Sequence, residues 1–258
     1  MEKRALQDFL EDLCFGAGRL TLKARESLSG LKINAKRDKD YVTETDVAAE
    51  EYITSRIKAE FPEHSILGEE MGLTEGSGER WIIDPIDGTN SFMHGLPFYC
   101  ISVAFERDGE VQLGGVYAPV LDEFFIGIKG AGAFLNDKKI SVSSTKDIGM
   151  SMAVTGFACL REGKTEYGLR LFNNVVPNVR DIRRHGSAAI DTCYLAAGRF
   201  DLYWENFLNI YDLAAAKLIL EEAGGILTDF SGTEENLYSE VAASNNRLHS
   251  KVLELLNK

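Results

Sequence analysis

The chain has 258 residues, with 28 Lys plus Arg against 40 Asp plus Glu and a net charge of −12. An apolar share of 45% and a charged share of 26% belong to a folded globular protein and exclude disordered, collagen-like and disulfide-scaffold classes. The acidic balance argues against a nucleic-acid groove, which needs a basic field to collect phosphates. It leaves room for a small phosphorylated substrate whose charge is met by bound metal ions.

Leu6, Phe9, Leu10, Leu13, Cys14, Ala17 and Leu20 recur at steps of three and four, which predicts a first amphipathic helix. A second is predicted from about Thr45 to Glu60, with Thr45 or Asp46 at its start, Ala48, Ile53 and Ile57 as its apolar stripe and Pro62 just beyond. HSILGEE, RWIIDP, FYCISVAFE, EVQLGGVYAP and DEFFIGI then read as strands separated by turn signals such as Asp108-Gly109. Two helices followed by an antiparallel series imply an α+β layer.

Beyond about Met150 the pattern becomes strand alternating with helix. SMAVTGF precedes a helix around Thr165 to Asn174, VRDIRR precedes GSAAIDTCYLAAG, and RFDLYWE precedes YDLAAAKLILEEAGG. ILTDF, EVAASN and a helix at Leu248 to Leu256 close this α/β series. No repeat, low-complexity run or Pro/Ser-rich linker intervenes. The expectation is one compact body, with an α+β part over residues 1–148 and an α/β part over 149–258.

Cys14, Cys100, Cys159 and Cys193 are far apart and form no CxxC pair, so they are expected as reduced, small hydrophobes. The opening residues carry mixed charges on a helical pattern rather than a basic stub and an apolar run. No apolar stretch approaches the roughly 18 residues of a membrane span. A cytoplasmic protein without membrane contact is expected.

The densest acidic cluster at a strand end is WIIDPIDGT, Trp81 to Thr89. Proline cannot donate to a ladder, so the strand is expected to stop at Pro85. Asp84 and Asp87 flank the turn that follows, close enough in sequence to converge on one point. Gly88 and Thr89 then open a helix, whose N-terminal amides attract phosphate. Acids beside a phosphate repel it unless a divalent metal bridges them, and oxygen-only ligands suit Mg²⁺. Read alone, the segment is equally a turn with Asp caps.

ILGEE places Glu69 and Glu70 side by side at another strand end, an arrangement that is costly without a cation. Asp212 opens the helix of YDLAAAKLILEEAGG, and Asp46 stands in YVTETD at the start of the second helix. Taken singly, Asp212 and Asp46 are explained by helix capping, and the glutamate pair by one of its members pointing into solvent.

Taken together, YVTETD, ILGEE, WIIDPIDGTNSFMHGLP, GAGAFLN, GSAAID, AAGRFDLYWE and YDLAAAKLILEEAGG occur in an order that resembles the inositol monophosphatase family. The resemblance covers nearly the whole chain. It implies the layered α-β-α-β-α sandwich shared with fructose-1,6-bisphosphatases, and a lithium-sensitive phosphatase using two to three Mg²⁺ ions. By that resemblance Glu69, Asp84, the Ile86 carbonyl, Asp87 and Asp212 hold metal. Gly88 and Thr89 bind phosphate, and Asp46 with Thr89 orients and deprotonates the attacking water. Glu70 is a supporting residue.

Gly186, Ser187 and Ala188 match the family's substrate wall, and Glu205 matches a carboxylate that accepts inositol hydroxyls. The implied substrate is myo-inositol 1-phosphate. Because the scaffold also serves fructose 1,6-bisphosphatases, Arg180, Arg183, Arg184 and Arg199 stand as candidates for gripping a second phosphate. DGTN rather than DGTK points away from adenosine bisphosphate phosphatases, and away from histidinol-phosphate relatives with DGTR or DGTK. Tyr211 replaces the family's usual Trp. Relatives are commonly homodimers, and some bacterial ones bind the transcription machinery, which stands as a non-enzymatic alternative.

Overall fold

Alternating side chains along the strands set the layers. At residues 81–83 Trp81 and Ile83 enter one apolar cluster while Ile82, facing the other way, enters a second. Residues 101, 103 and 105 go with Trp81, and Cys100 and Ala104 go with Ile82. This two-step period makes one sheet with two buried faces.

The computed structural model describes residues 3–258. In chain order the elements are α1 (Lys3–Arg25), β1 (Ile33–Arg37), β2 (Asp40–Thr43), α2 (Glu44–Glu60), β3 (Ser65–Gly68), β4 (Gly72–Thr74) and β5 (Arg80–Asp87). There follow α3 (Thr89–Met93), β6 (Cys100–Arg107), β7 (Glu110–Ala118), β8 (Glu123–Ile128), β9 (Gly132–Leu135) and β10 (Lys138–Lys139). The chain closes with β11 (Met152–Thr155), α4 (Thr165–Val175), β12 (Asp181–Arg183), α5 (Ala188–Ala196), β13 (Leu202–Asn206), α6 (Ile210–Glu222), β14 (Ile226–Thr228), β15 (Glu240–Ser244) and α7 (His249–Leu256).

An eight-stranded sheet runs β10-β9-β8-β7-β6-β5-β3-β4, antiparallel except where β3 and β5 run parallel. A five-stranded sheet runs β12-β11-β13-β15-β14, with β11 parallel to both β12 and β13. Leu10, Leu13, Ile53 and Ile57 of α1 and α2 pack on one face of the large sheet. Helices α5 and α6 lie between the two sheets, where Ile190, Leu213 and Ile219 meet Ile82, Val116 and Tyr203. Leu171 of α4 and Val252 of α7 cover the outer face of the small sheet with Leu202 and Trp204. The result is the expected five-layer α-β-α-β-α sandwich. All four cysteines are buried and free, in keeping with their reading as small hydrophobes.

Two local expectations are corrected. Residues 80–87 do not stop at Pro85 but continue as strand to Asp87. Asp84 pairs with Ser102 and Asp87 with Cys100, so β5 carries one extra residue across this interval. Pro85 sits in that bulge, where no ladder amide is required. The sequence reading also passed over the β1–β2 hairpin, because β1 is exposed throughout and has no apolar face to reveal it.

Seating α6 on the large sheet requires bare backbone. Gly114 and Gly127 are cross-strand partners on β7 and β8. A Cβ on Gly114 would stand 2.5 Å from the Ala215 carbonyl oxygen, and one on Gly127 2.9 Å from the Ile219 backbone. Gly114→Ala is expected to cost about 1–3 kcal/mol by forcing α6 outward. Thermal melts check this, and an unchanged melting temperature would show that α6 is seated loosely.

Candidate active site

The bulge at the end of β5 throws Asp84 and Asp87 to the same side. Asp212 reaches them from the first turn of α6, and ligating atoms of the three buried acids lie within 4.8 Å of one another. They form the floor of a cleft of about 340 Å³, which Glu69, Ile86, Gly88, Thr89, Gly186, Ala188 and Glu205 also line.

Every acid of the floor is held by a donor. Asp84 Oδ1 accepts the Ile86 N–H at 3.1 Å, and Asp212 Oδ2 accepts the N–H of Asn209. Asp87 Oδ2 accepts the Ser187 hydroxyl at 2.6 Å and the Ala189 N–H at 2.7 Å. Asp46 Oδ2 accepts the Thr43 N–H at 3.0 Å in a capping box, while Oδ1 lies 3.1 Å from the Thr89 hydroxyl. That hydroxyl is also 3.1 Å from the Ile86 carbonyl. The helix cap and the contact with Thr89 therefore use different oxygens of Asp46.

Burial pushes Asp84 well above the carboxylate range, and the charges of Glu69, Asp87 and Asp212 add to it. Asp212 is raised in the same way, by burial and then by Asp87 and Glu69. Burial lifts Asp87 to about 6 against the opposing bonds from Ser187 and Ala189. Asp46 also reaches about 6 by burial, with the Thr43 and Thr89 bonds opposing. A divalent cation would turn this mutual repulsion into attraction, and hard oxygen donors suit such an ion. The donor set thus fits a metal.

Glu69 and Glu70 share a cation that the sequence did not reveal. Lys36 of β1 lies 2.9 Å from Glu69 and 2.6 Å from Glu70. Burial opposes the charge on Lys36, but the two carboxylates outweigh it and raise its pKa. Arg161 is a second omission. It lines the cleft, and the carboxylates of Asp212, Asp40, Glu205 and Glu69 hold its charge against burial. Neither residue belongs to a periodic or spaced pattern, so chain order gave no signal.

The substrate residues divide. Gly186 and Ala188 line the cleft beside Gly88. Ser187 does not: its buried hydroxyl donates to Asp87 and accepts the Ile190 N–H at 3.2 Å, as the N-cap of α5. Its role is to lock that helix onto the acid floor. Glu205 lines the cleft with Oε1 accepting the Ala158 N–H at 3.0 Å and Oε2 the Tyr203 hydroxyl at 2.8 Å. Tyr211 keeps a ring packed against the core between the sheets.

Of the four arginine candidates only Arg184 lines the cleft. Arg199 pairs with Glu123 and lies over the Tyr194 ring, Arg183 pairs with Asp181 at 2.7 Å, and Arg180 is exposed outside the cleft lining. Arg180 and Arg183 lie beside and on β12, the edge of the small sheet, whereas Arg199 follows α5 and reaches Glu123 on β8 of the large sheet.

A profile described as the inositol monophosphatase family matches residues 2–258. The chain belongs to the inositol monophosphatase family. A Pseudomonas aeruginosa protein named Nus factor SuhB is 39% identical over 245 residues, covering 92% of this chain and 90% of that protein. An inositol-1-monophosphatase of Mesorhizobium japonicum is 35% identical over 261 residues, covering 100% and 98%. The solved structure of a Thermotoga maritima IMPase superposes with a TM-score of 0.89 at 36% identity, covering 98% of this chain and 97% of that one. Membership supports phosphatase activity in a generally metal-dependent family. Among the described residues no helix is long and apolar enough to cross a membrane.

A carboxyl whose pKa is higher folded than unfolded favours the protonated state in the fold. Stability held at low pH is therefore lost as pH rises, from the ordinary 3.8 through about 6 for Asp46 and Asp87, with Asp84 and Asp212 shifted in the same direction. In EDTA this acid cluster is expected to lower the melting temperature as pH rises from 3.8 through about 6, and Mg²⁺ is expected to restore it above that range. Asp84→Asn should melt higher than the parent in EDTA at pH 8 and gain less from Mg²⁺. Parallel melting curves for both proteins, with and without metal, would overturn this account of the floor.

Proposed function

We propose that this protein is a Mg²⁺-dependent phosphomonoester hydrolase whose substrate is myo-inositol 1-phosphate. The observation that carries the reading is the buried, oxygen-only cluster of Asp84, Asp87 and Asp212 on the floor of the same cleft that Gly88 and Thr89 line. Glu69, Asp84, the Ile86 carbonyl, Asp87 and Asp212 would hold Mg²⁺, which would lower the pKa of a water and offset the charge of the phosphate.

The chain's own residues do the rest. Asp46, at about 6, is a carboxylate at neutral pH and lies within reach of the Thr89 hydroxyl. Thr89 donates its proton to Asp46 and so turns an oxygen lone pair toward a water, whose proton then passes along the same pair. Donation to Asp46 also frees the Ile86 carbonyl from Thr89, leaving it available as a ligand. The Gly88–Thr89 segment holds the phosphate, and Gly186 with Ala188 walls the polyol. Glu205, fixed by Ala158 and Tyr203, keeps a lone pair on each oxygen for sugar hydroxyls.

With Arg180, Arg183 and Arg199 outside the cleft, few cations remain for a second phosphate, and this favours a monoester. The presence of Arg161 and Arg184 keeps fructose 1,6-bisphosphate as the second substrate to test. The likeness to proteins named Nus factor SuhB supports a further reading, in which the chain also binds transcription machinery. Homodimerisation and a cytoplasmic site of action belong to the same proposal, from the family resemblance.

Phosphate release from myo-inositol 1-phosphate and fructose 1,6-bisphosphate, each with and without Mg²⁺, tests the reading. We expect strict Mg²⁺ dependence and at least about tenfold higher specificity for the inositol ester, a discrimination of about 1.4 kcal/mol. Thr89→Ala should lower kcat by about 10²–10⁴-fold, the range for losing a positioned proton-transfer group. Preference for the bisphosphate would move specificity to Arg161 and Arg184. Absence of Mg²⁺-dependent release from both would send the search to other esters, or to the transcription reading tested by co-purification.

A further inference from the structure

Glu50 stands four residues beyond Asp46 on α2, so both carboxylates leave one face of that helix. Asp46 lines up with Thr89, whereas Glu50 is fully buried and is no part of the cleft lining. Its Oε2 accepts the Glu70 N–H at 2.8 Å and its Oε1 accepts the Met71 N–H at 2.9 Å. Those two amides follow Glu69 directly. On the other side of Glu69, Gly68 has no side chain, and a Cβ there would stand 1.8 Å from Glu50 Oε1. The backbone of residues 68–71 therefore wraps around the Glu50 carboxylate, and the Glu69 N–H is tied to the Ile83 carbonyl at 3.1 Å.

We propose that Glu50 is a positioning residue for metal binding: it clamps the turn at residues 68–71 so that Glu69 faces Asp84, and Gly68 provides the space for it. The inference rests on the reading of Glu69 as a metal ligand. A carboxylate suits the task because both of its oxygens accept, whereas glutamine would turn an NH₂ donor toward one of the two N–H groups. Helix α2 then registers two arms of the site at once, the proton acceptor through Asp46 and the metal through Glu50 and Glu69. A shift of the helix along its axis would move both together.

The test is Mn²⁺ binding to the metal-free full-length chain, followed by electron paramagnetic resonance, for the parent, Glu50→Gln, Gly68→Ala and Glu69→Gln. Gly68→Ala probes the same contact from the other side, since the three atoms nearest its added Cβ all belong to the carboxyl end of Glu50. Glu50→Gln and Gly68→Ala are each expected to weaken Mn²⁺ binding by about tenfold or more, as the loss of groups that orient ligands does elsewhere. Turnover should show the matching split, with the half-saturating Mg²⁺ concentration rising more than kcat at saturating Mg²⁺ falls. Melts in EDTA establish that each variant is folded, and if Glu50→Gln does not fold, Gly68→Ala decides alone. Parent-like Mn²⁺ binding by a folded Glu50→Gln or Gly68→Ala, with Glu69→Gln weakened, overturns the positioning role. Parent-like binding by Glu69→Gln instead overturns the reading of Glu69 as a ligand.

Discussion

Several like charges are buried at one point, and the rest of the structure answers to their repulsion. Taking an unpaired carboxylate out of water costs several kcal/mol, and neighbouring carboxylates add to that cost. The fold meets it by aiming the positive ends of helices at the cluster. Asp46 lies in the first turn of α2, Asp212 lies in the first turn of α6, and Asp87 accepts an amide from the first turn of α5. Helix dipoles and unpaired N-terminal amides favour negative charge at these places. These three helix starts and the β5 bulge stabilise a charge density that a divalent ion would complete.

The same geometry ties the site to the global packing. Asp84 and Asp87 come from the large sheet, while Asp212 and Ser187 come from helices sandwiched between the sheets. Their meeting depends on how closely α6 approaches β7 and β8, and that approach is set by two facing glycines. The floor of the cleft is thus an interface between layers. No short peptide containing DPIDGT would reproduce it, since the third acid lies more than a hundred residues away in sequence.

The layers were legible in the sequence because they follow periodicity. Alternation in residues 80–83 and 100–107 and the three-and-four spacing of Leu6 to Ala17 are local signals that the structure keeps, while Leu20 at the end of that stripe is exposed. The acids of the floor were legible for another reason, in that each stands at an element boundary where a turn leaves carboxylates and amides without regular partners. Whether such an acid caps a helix or faces the cleft could not be read, because Asp46 caps α2 with one oxygen and meets Thr89 of the cleft lining with the other. Lys36, Glu50 and Arg161 escaped notice because their roles arise from contacts between segments. The arginines failed for the same reason in reverse, since Arg183 precedes Gly186 and Arg199 follows α5 in sequence, but they spend their charge on Asp181 and Glu123.

The net charge of −12 sharpens what those cations do. An anionic ester approaching an acidic protein meets a repulsive field, so the mouth of the cleft must reverse the sign locally. Lys39, Arg161 and Arg184 line the cleft, and they come from the hairpin tip, the segment after β11 and the turn before α5. The hairpin is fastened across the cleft by Arg37 to Glu162 at 2.6 Å and Asp40 to Arg161 at 3.5 Å. Those pairs lie partly exposed, so they contribute little to stability and are weakened by salt. Their consequence is geometric: they draw two of the three cationic segments together over an acid floor. The cleft that results carries positive charge on its walls and the Gly88–Thr89 turn beside its acid floor, the arrangement that the proposed phosphate and metal sites require.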